Sequence, residues 1–126
     1  MSQTALVVED DLSLAGAINK KLQLSGFTTL NARSVDEALK LMDEHQPIGV
    51  IWLDHYLLGG KDGLAFTAMV RARDDWKAIP IYIVSNTASN DKVASYNKLG
   101  ISRYYVKADH RLDEIIADIK TNMAPA

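Results

Sequence analysis

Apolar residues along the chain fall into short unbroken runs that alternate with helical stripes. Ala5-Leu6-Val7-Val8, Gly49 to Leu53 and Ile79 to Ser85 read as strands, the second of them buried on both faces. Pro80 stands near the start of the third, where a missing N–H is tolerated. The more polar Phe27 to Ala32 predicts a strand at a sheet edge, and Ser102 to Lys107 a fifth strand. Between these runs, apolar positions recur at 3.6-residue spacing. The stripes are Leu14, Ala15, Ile18 and Leu22, then Val35, Ala38, Leu39 and Met42, then Leu64, Phe66, Thr67 and Val70. Val93, Tyr96 and Leu99 form the fourth, and Leu112, Ile115, Ile116, Ile119 and Met123 the fifth. The fourth is the least apolar, so that helix is expected to pack least firmly.

Helix punctuation agrees with these limits. Ser34 with Glu37 has the spacing of a capping box, and Asp11 suits the cap of the first helix. Gly26 and Gly100 stand just past helix ends, and Pro47 stops the second helix. Arg71 and Arg73 lie where cations suit a helix C-terminus. Strand and helix thus alternate five times, which implies an α/β fold: a doubly wound five-stranded parallel sheet with helices on both faces.

Composition narrows the classes. At 126 residues the length predicts one ordinary domain, read as 1–126 with a core from about residue 4 to 122 and no room expected for a second domain. A net charge of −2 gives no sign of nucleic-acid or anionic-membrane binding, and the apolar runs are too short to span a bilayer. The absence of cysteine excludes disulfides and thiolate metal sites. A cytoplasmic location is the expectation, since the N-terminus carries no signal-like segment.

In such a sheet the carboxyl ends of the strands share one edge. That edge receives Glu9 and Asp10 after the first strand, Asp54 after the third, Ser85 after the fourth and Lys107 after the fifth. The second strand contributes nothing comparable. Clustered carboxylates need a counter-charge, and a hard cation such as Mg²⁺ supplies it through oxygen ligands. A carboxylate in that setting can also act as a nucleophile toward a phosphoryl group, with the lysine and hydroxyl stabilising its oxygens.

Val7-Val8-Glu9-Asp10-Asp11, the Asp54 strand with Asp62-Gly63, Ile83-Val84-Ser85 and Gly100 to Lys107 together resemble the receiver domain of two-component response regulators. The resemblance spans essentially the whole chain. It implies a flavodoxin-like strand order of 2-1-3-4-5, of which the chemotaxis member of that family is a known example. It implies that Asp54 accepts a phosphoryl group from the phosphohistidine of a histidine kinase or phosphotransfer protein. Glu9, Asp10, Asp54 and the backbone carbonyl of Tyr56 would hold Mg²⁺. Lys107 would pair with the phosphoryl group, and Ser85 would hydrogen-bond it. Tyr104 would be the switch aromatic that reshapes the fourth-helix, fifth-strand and fifth-helix surface for a downstream protein. The implied protein is a stand-alone switch, a monomer or weak dimer, and not an enzyme beyond catalysing its own phosphorylation and dephosphorylation.

The chain also departs from the family. Leu58 stands where proline is usual, and the loop from Asp54 to Gly63 is one residue longer. Ala108 replaces the proline that usually follows the lysine, which predicts a trans bond or a strained site there. Tyr56 and Thr87 occupy positions that tune dephosphorylation in the family, and a bulky Tyr56 predicts a slow one. Gly59-Gly60 lacks the P-loop lysine pattern and is a weak phosphate signal. Plainer roles stand beside these. His45, His55 and His110 are expected to be exposed loop residues, Trp52 to pack within its strand, and Tyr105 to lie in the core.

Other functions fit less of the pattern. A degenerate receiver would bind partners without phosphorylation. A phosphatase of the haloacid-dehalogenase type needs a second acid where this chain has Tyr56. A flavin carrier would need a phosphate-binding first loop, which Glu9-Asp10-Asp11 would repel.

Overall fold

Alternation along the inner strands divides the interior into two cores, one on each side of a single sheet. A computed structural model describes residues 3–123. Its strands are β1 (Thr4–Val8), β2 (Thr28–Ala32), β3 (Val50–Leu53), β4 (Ile81–Ser85) and β5 (Arg103–Val106). Its helices are α1 (Leu12–Leu24), α2 (Val35–Glu44), α3 (Gly63–Ala72), α4 (Asn90–Lys98) and α5 (Leu112–Asn122), with a 3₁₀ turn at Lys107–Asp109. All strand pairs are parallel and the order is β2-β1-β3-β4-β5, with β2 at an edge as expected.

Leu6, Val8, Ile51, Leu53, Ile81 and Ile83 face α2, α3 and α4, whose Ala38, Met42, Phe66, Val70 and Tyr96 complete one core. The intervening Ala5, Val7, Val50, Trp52, Tyr82 and Val84 face α1 and α5, where Ile18, Leu22, Ile115 and Ile119 complete the other. This is the period-two alternation of a sheet covered on both sides. Trp52 packs within its strand, and Tyr105 is fully buried. Of the α4 stripe only Tyr96 is fully buried. Trp76, which the stripes did not include, is buried in the first core, with the Arg73 guanidinium 3.5 Å from its ring centroid.

The caps follow the expected chemistry. Asp11 Oδ1 accepts from the Leu14 N–H at 3.1 Å, and Ser34 Oγ accepts from the Glu37 N–H at 3.2 Å, which is one half of the expected capping box; the return bond to the Glu37 side chain is not formed among the described residues. Asp62 and Ser89 cap α3 and α4 in the same way. The Arg71 guanidinium reaches beyond its own helix to the carbonyls of Ile79, Leu99 and Gly100, tying α3 to the turn before β5. No described helix is long and apolar enough to cross a membrane.

Candidate functional site

Parallel register carries the strand ends to one edge, and backbone bonds hold them there. The Asp54 N–H donates to the Val8 carbonyl at 3.0 Å, and the Glu9 N–H to the Ala32 carbonyl at 3.0 Å. The acid after β3 is therefore anchored beside the end of β1. Glu9 and Asp54 are buried, and Asp10 is partly so. One carboxylate oxygen from each of the three lies within 4.8 Å of the others. Lys107 Nζ sits between two of them, donating to Glu9 Oε1 at 2.9 Å and to Asp54 Oδ2 at 3.2 Å. Glu9 Oε2 accepts from the Asp11 N–H at 3.1 Å.

Burial pushes the Glu9 carboxyl up to about 7, with the Asp54 charge adding, although the Lys107 and Asp11 hydrogen bonds pull against it. For Lys107 burial again pulls toward the neutral form, but the Glu9 hydrogen bond and the Asp54 charge outweigh it and hold the ammonium above its ordinary range. The pocket is thus a compact acid cluster compensated by one cation. Its donor set of three carboxylates suits a hard divalent ion.

Ser85 ends β4 with no exposed surface, and its Oγ has no hydrogen-bond partner among the described residues. An orphan hydroxyl at the end of a central strand, beside the acid cluster, suits an incoming acceptor. Tyr104 sits half-buried on β5. Its hydroxyl donates to the Thr87 carbonyl at 2.5 Å, and its ring meets Tyr96 edge-on at 5.8 Å. Tyr56 is 52% exposed at the pocket rim. Glu9, Asp10, Asp54 and Lys107 are therefore brought together. Ser85 lies at the adjoining strand end, while the side chains of Tyr56 and Tyr104 lie at the periphery.

Three expectations change. His55 is buried rather than exposed: its Nδ1 lies 2.7 Å from the Tyr96 hydroxyl, and its Nε2 3.6 Å from Asp62 Oδ2. Burial lowers its pKa, with Asp62 opposing. The partner that covers it is 41 residues away in the chain, which no local pattern signals. His110 is half-buried against the Tyr105 ring, with centroids 5.1 Å apart, while His45 is exposed as expected. Finally, the end of β2 does contribute. The Arg33 guanidinium donates twice to the Asp10 carbonyl, at 3.0 and 3.1 Å, and so orients the acidic turn.

The longer loop is accommodated away from Asp54. The Leu58 N–H donates to the Arg33 carbonyl at 3.2 Å, pairing the loop with the segment before α2. Gly59 and Gly60 then turn with φ of 87° and 84°, a region that favours glycine. At Gly63 the constraint is space: a Cβ there would lie 2.6 Å from both the Asp54 carbonyl oxygen and the Tyr96 hydroxyl. The Lys107–Ala108 bond is trans and opens the 3₁₀ turn.

Comparison with known proteins bears on this edge. The response regulator receiver domain family matches residues 5–120. The hydrogenase transcriptional regulatory protein HoxA of Cupriavidus necator is 34% identical over 116 residues, covering 89% of this chain and 23% of that protein. The transcriptional regulatory protein PrrA of Mycobacterium tuberculosis is 30% identical over 119 residues, covering 94% of this chain and 49% of that protein. The chain thus spans half or less of the length of these relatives. Among solved structures, the chemotaxis protein CheY4 of Vibrio cholerae superposes with a TM-score of 0.86 at 21% identity, covering 96% and 98% of the two chains. A response regulator receiver protein of Pseudomonas putida gives 0.88 at 20% identity, covering 97% and 98%. The Mn²⁺-bound form of response regulator Rcp1 gives 0.82 at 22% identity, covering 98% and 99%. With an extended family match over the acid cluster, its lysine and its hydroxyl, this chain belongs to the response regulator receiver domain family.

Proposed function

We propose that Asp54 accepts a phosphoryl group from the phosphohistidine of a partner kinase or phosphotransfer protein, and that the surface of α4, β5 and α5 changes in response. The observation that carries this reading is the Lys107 bridge between Glu9 and Asp54, beside an unpartnered Ser85 hydroxyl. Lys107 engages Asp54 Oδ2, which leaves Oδ1 as the attacking oxygen. In the transfer an Asp54 oxygen forms a new bond to phosphorus, the bond from phosphorus to the donor imidazole nitrogen breaks, and that nitrogen keeps the electron pair.

Glu9, Asp10, Asp54 and the Tyr56 carbonyl would hold a divalent cation, for which the Mn²⁺-bound Rcp1 relative provides a precedent. When bound, such a cation neutralises the acid cluster and draws charge from the phosphoryl oxygens. Lys107 follows the charge onto the phosphoryl group, and Ser85 gains the acceptor it lacks. Thr87 follows Ser85 by two residues, so movement of this segment alters the carbonyl that receives the Tyr104 hydroxyl. That is the route by which Tyr104 turns and α4 and β5 are reshaped.

The test is incubation with Mg²⁺ and a small phosphodonor, followed by intact mass. A phosphate-sized gain that is lost in Asp54→Ala supports the reading. No gain from the small donor, together with none from a cognate kinase, refutes it and leaves a phosphorylation-independent binding module.

A further inference from the structure

Tyr56 is half exposed, yet both its ring and its hydroxyl are held. Its N–H reaches Asp54 Oδ1 at 3.4 Å, on the side of the acid that Lys107 leaves open. Its ring stands edge-on to buried His55, with centroids 4.8 Å apart. Lys92 Nζ donates to the Tyr56 hydroxyl at 3.0 Å and to Thr87 Oγ1 at 3.3 Å, and lies 4.8 Å from the centroid of the tyrosine ring. The Tyr56 hydroxyl and Thr87 Oγ1 are themselves 3.4 Å apart. Side chains from the loop after β3, the loop after β4 and the first turn of α4 thus close into one cluster at the rim.

Lys92 is well placed to act as the clamp. The Ser89 hydroxyl caps its backbone N–H, so its stem leaves an ordered helix turn. It forms no salt bridge with an acid among the described residues. An exposed tyrosine without such a tether samples several rotamers, and a tethered one samples few. Thr87 is shared, since its carbonyl receives the Tyr104 hydroxyl while its own hydroxyl belongs to the cluster.

We propose that Lys92 is a positioning residue that pins Tyr56 across the two loops as a cover beside Asp54, so that the lifetime of a phosphoryl group is set from helix α4. The inference rests on the phosphoacceptor reading above. In hydrolysis the oxygen of a water molecule bonds to phosphorus, the bond from phosphorus to the Asp54 oxygen breaks, and the carboxylate keeps the electron pair. The protons of that water go to the released phosphate and to solvent. A pinned ring narrows the approach of this water. Because α4 fully buries only Tyr96, a partner that shifts α4 also moves the clamp.

The decay of phosphorylated protein, loaded with a small phosphodonor and Mg²⁺ and then freed of donor, is followed by intact mass. Lys92→Ala and Lys92→Met are expected to decay about threefold to tenfold faster than wild type, the span of one hydrogen bond. Lys92→Arg, which can still donate to Tyr56, restores a slow decay. Lys98→Ala, at the far end of the same helix, leaves the rate unchanged. Adding Lys92→Ala to Tyr56→Ala, which lacks the ring, changes nothing further. A wild-type decay rate in Lys92→Ala overturns the inference, as does an equal acceleration in the Tyr56→Ala background. If wild-type protein takes up no phosphate from the small donor or from a kinase, the phosphoacceptor reading falls and this inference falls with it.

Discussion

His55 Nδ1 lies 2.7 Å from the Tyr96 hydroxyl, and the pair joins the loop that follows Asp54 to helix α4. Both residues are buried, so neither polar group has water as a substitute partner. Tyr96→Phe strands the imidazole nitrogen and is expected to cost about 1–3 kcal/mol, read as a lower urea midpoint at unchanged slope. Pairing the change with His55→Phe removes both polar groups, and the double variant should lose less than the sum of the two singles.

Gly63 lies against that same hydroxyl. Gly63→Ala places a methyl group 2.6 Å from a backbone oxygen that cannot step aside. A loss of about 1–3 kcal/mol is expected, as in other overpacked sites, with chemical-shift changes concentrated at Asp54, His55 and Tyr96 in amide spectra. A wild-type melting curve for this variant would show that the Asp54 loop yields more easily than its packing implies.

Lys107 compensates two buried acids, so its removal is expected to be costly. Lys107→Met leaves Glu9 and Asp54 facing one another and should lower stability by about 3–5 kcal/mol in the absence of divalent ions. Added Mg²⁺ should recover part of that loss, because binding to the folded state alone stabilises by mass action. Urea unfolding with and without Mg²⁺ measures both effects.

Ser85→Ala should behave in the opposite way. The hydroxyl is buried and unpartnered, so its removal is expected to be neutral or to stabilise the unphosphorylated protein by up to about 1 kcal/mol. A clear loss of stability in thermal unfolding would mean that the hydroxyl has a partner in solution.

Alkaline pH should weaken the fold. Burial raises the pKa of Tyr96 and of Tyr105, the latter also through the bond from its hydroxyl to Asp118 Oδ2 at 2.8 Å. In the unfolded chain both ionise near 10. Above that value the unfolded state binds fewer protons than the folded one, so stability is full below about 10 and falls as pH rises further. Urea midpoints measured between about pH 8 and 11 should drop, and Tyr105→Phe should flatten the fall.

Much of the acid edge was legible because each residue sits at a strand end that its own apolar run announces. Asp54 follows Val50–Leu53, Glu9 follows Thr4–Val8, and Ser85 closes Ile81–Ser85. Arg33 was not legible in this way. It follows a polar edge strand, and its role depends on a carbonyl 23 residues earlier. His55 was misplaced for the same reason, since its cover comes from Tyr96, and Trp76 entered the core outside any helical stripe.

Local pattern by itself determined the alternation of strands and helices, the edge position of β2 and the convergence of Glu9, Asp10, Asp54 and Lys107. Period-two and 3.6-residue burial are properties of neighbouring residues, and parallel strands bring their ends together once the alternation is set. Only the tertiary structure decided that Lys107 bridges Glu9 and Asp54, that Ser85 is left without a partner, and that Lys92 and Thr87 hold Tyr56. Those relationships join side chains from separate elements at distances of a few ångströms, and sequence periodicity carries no information at that range between elements.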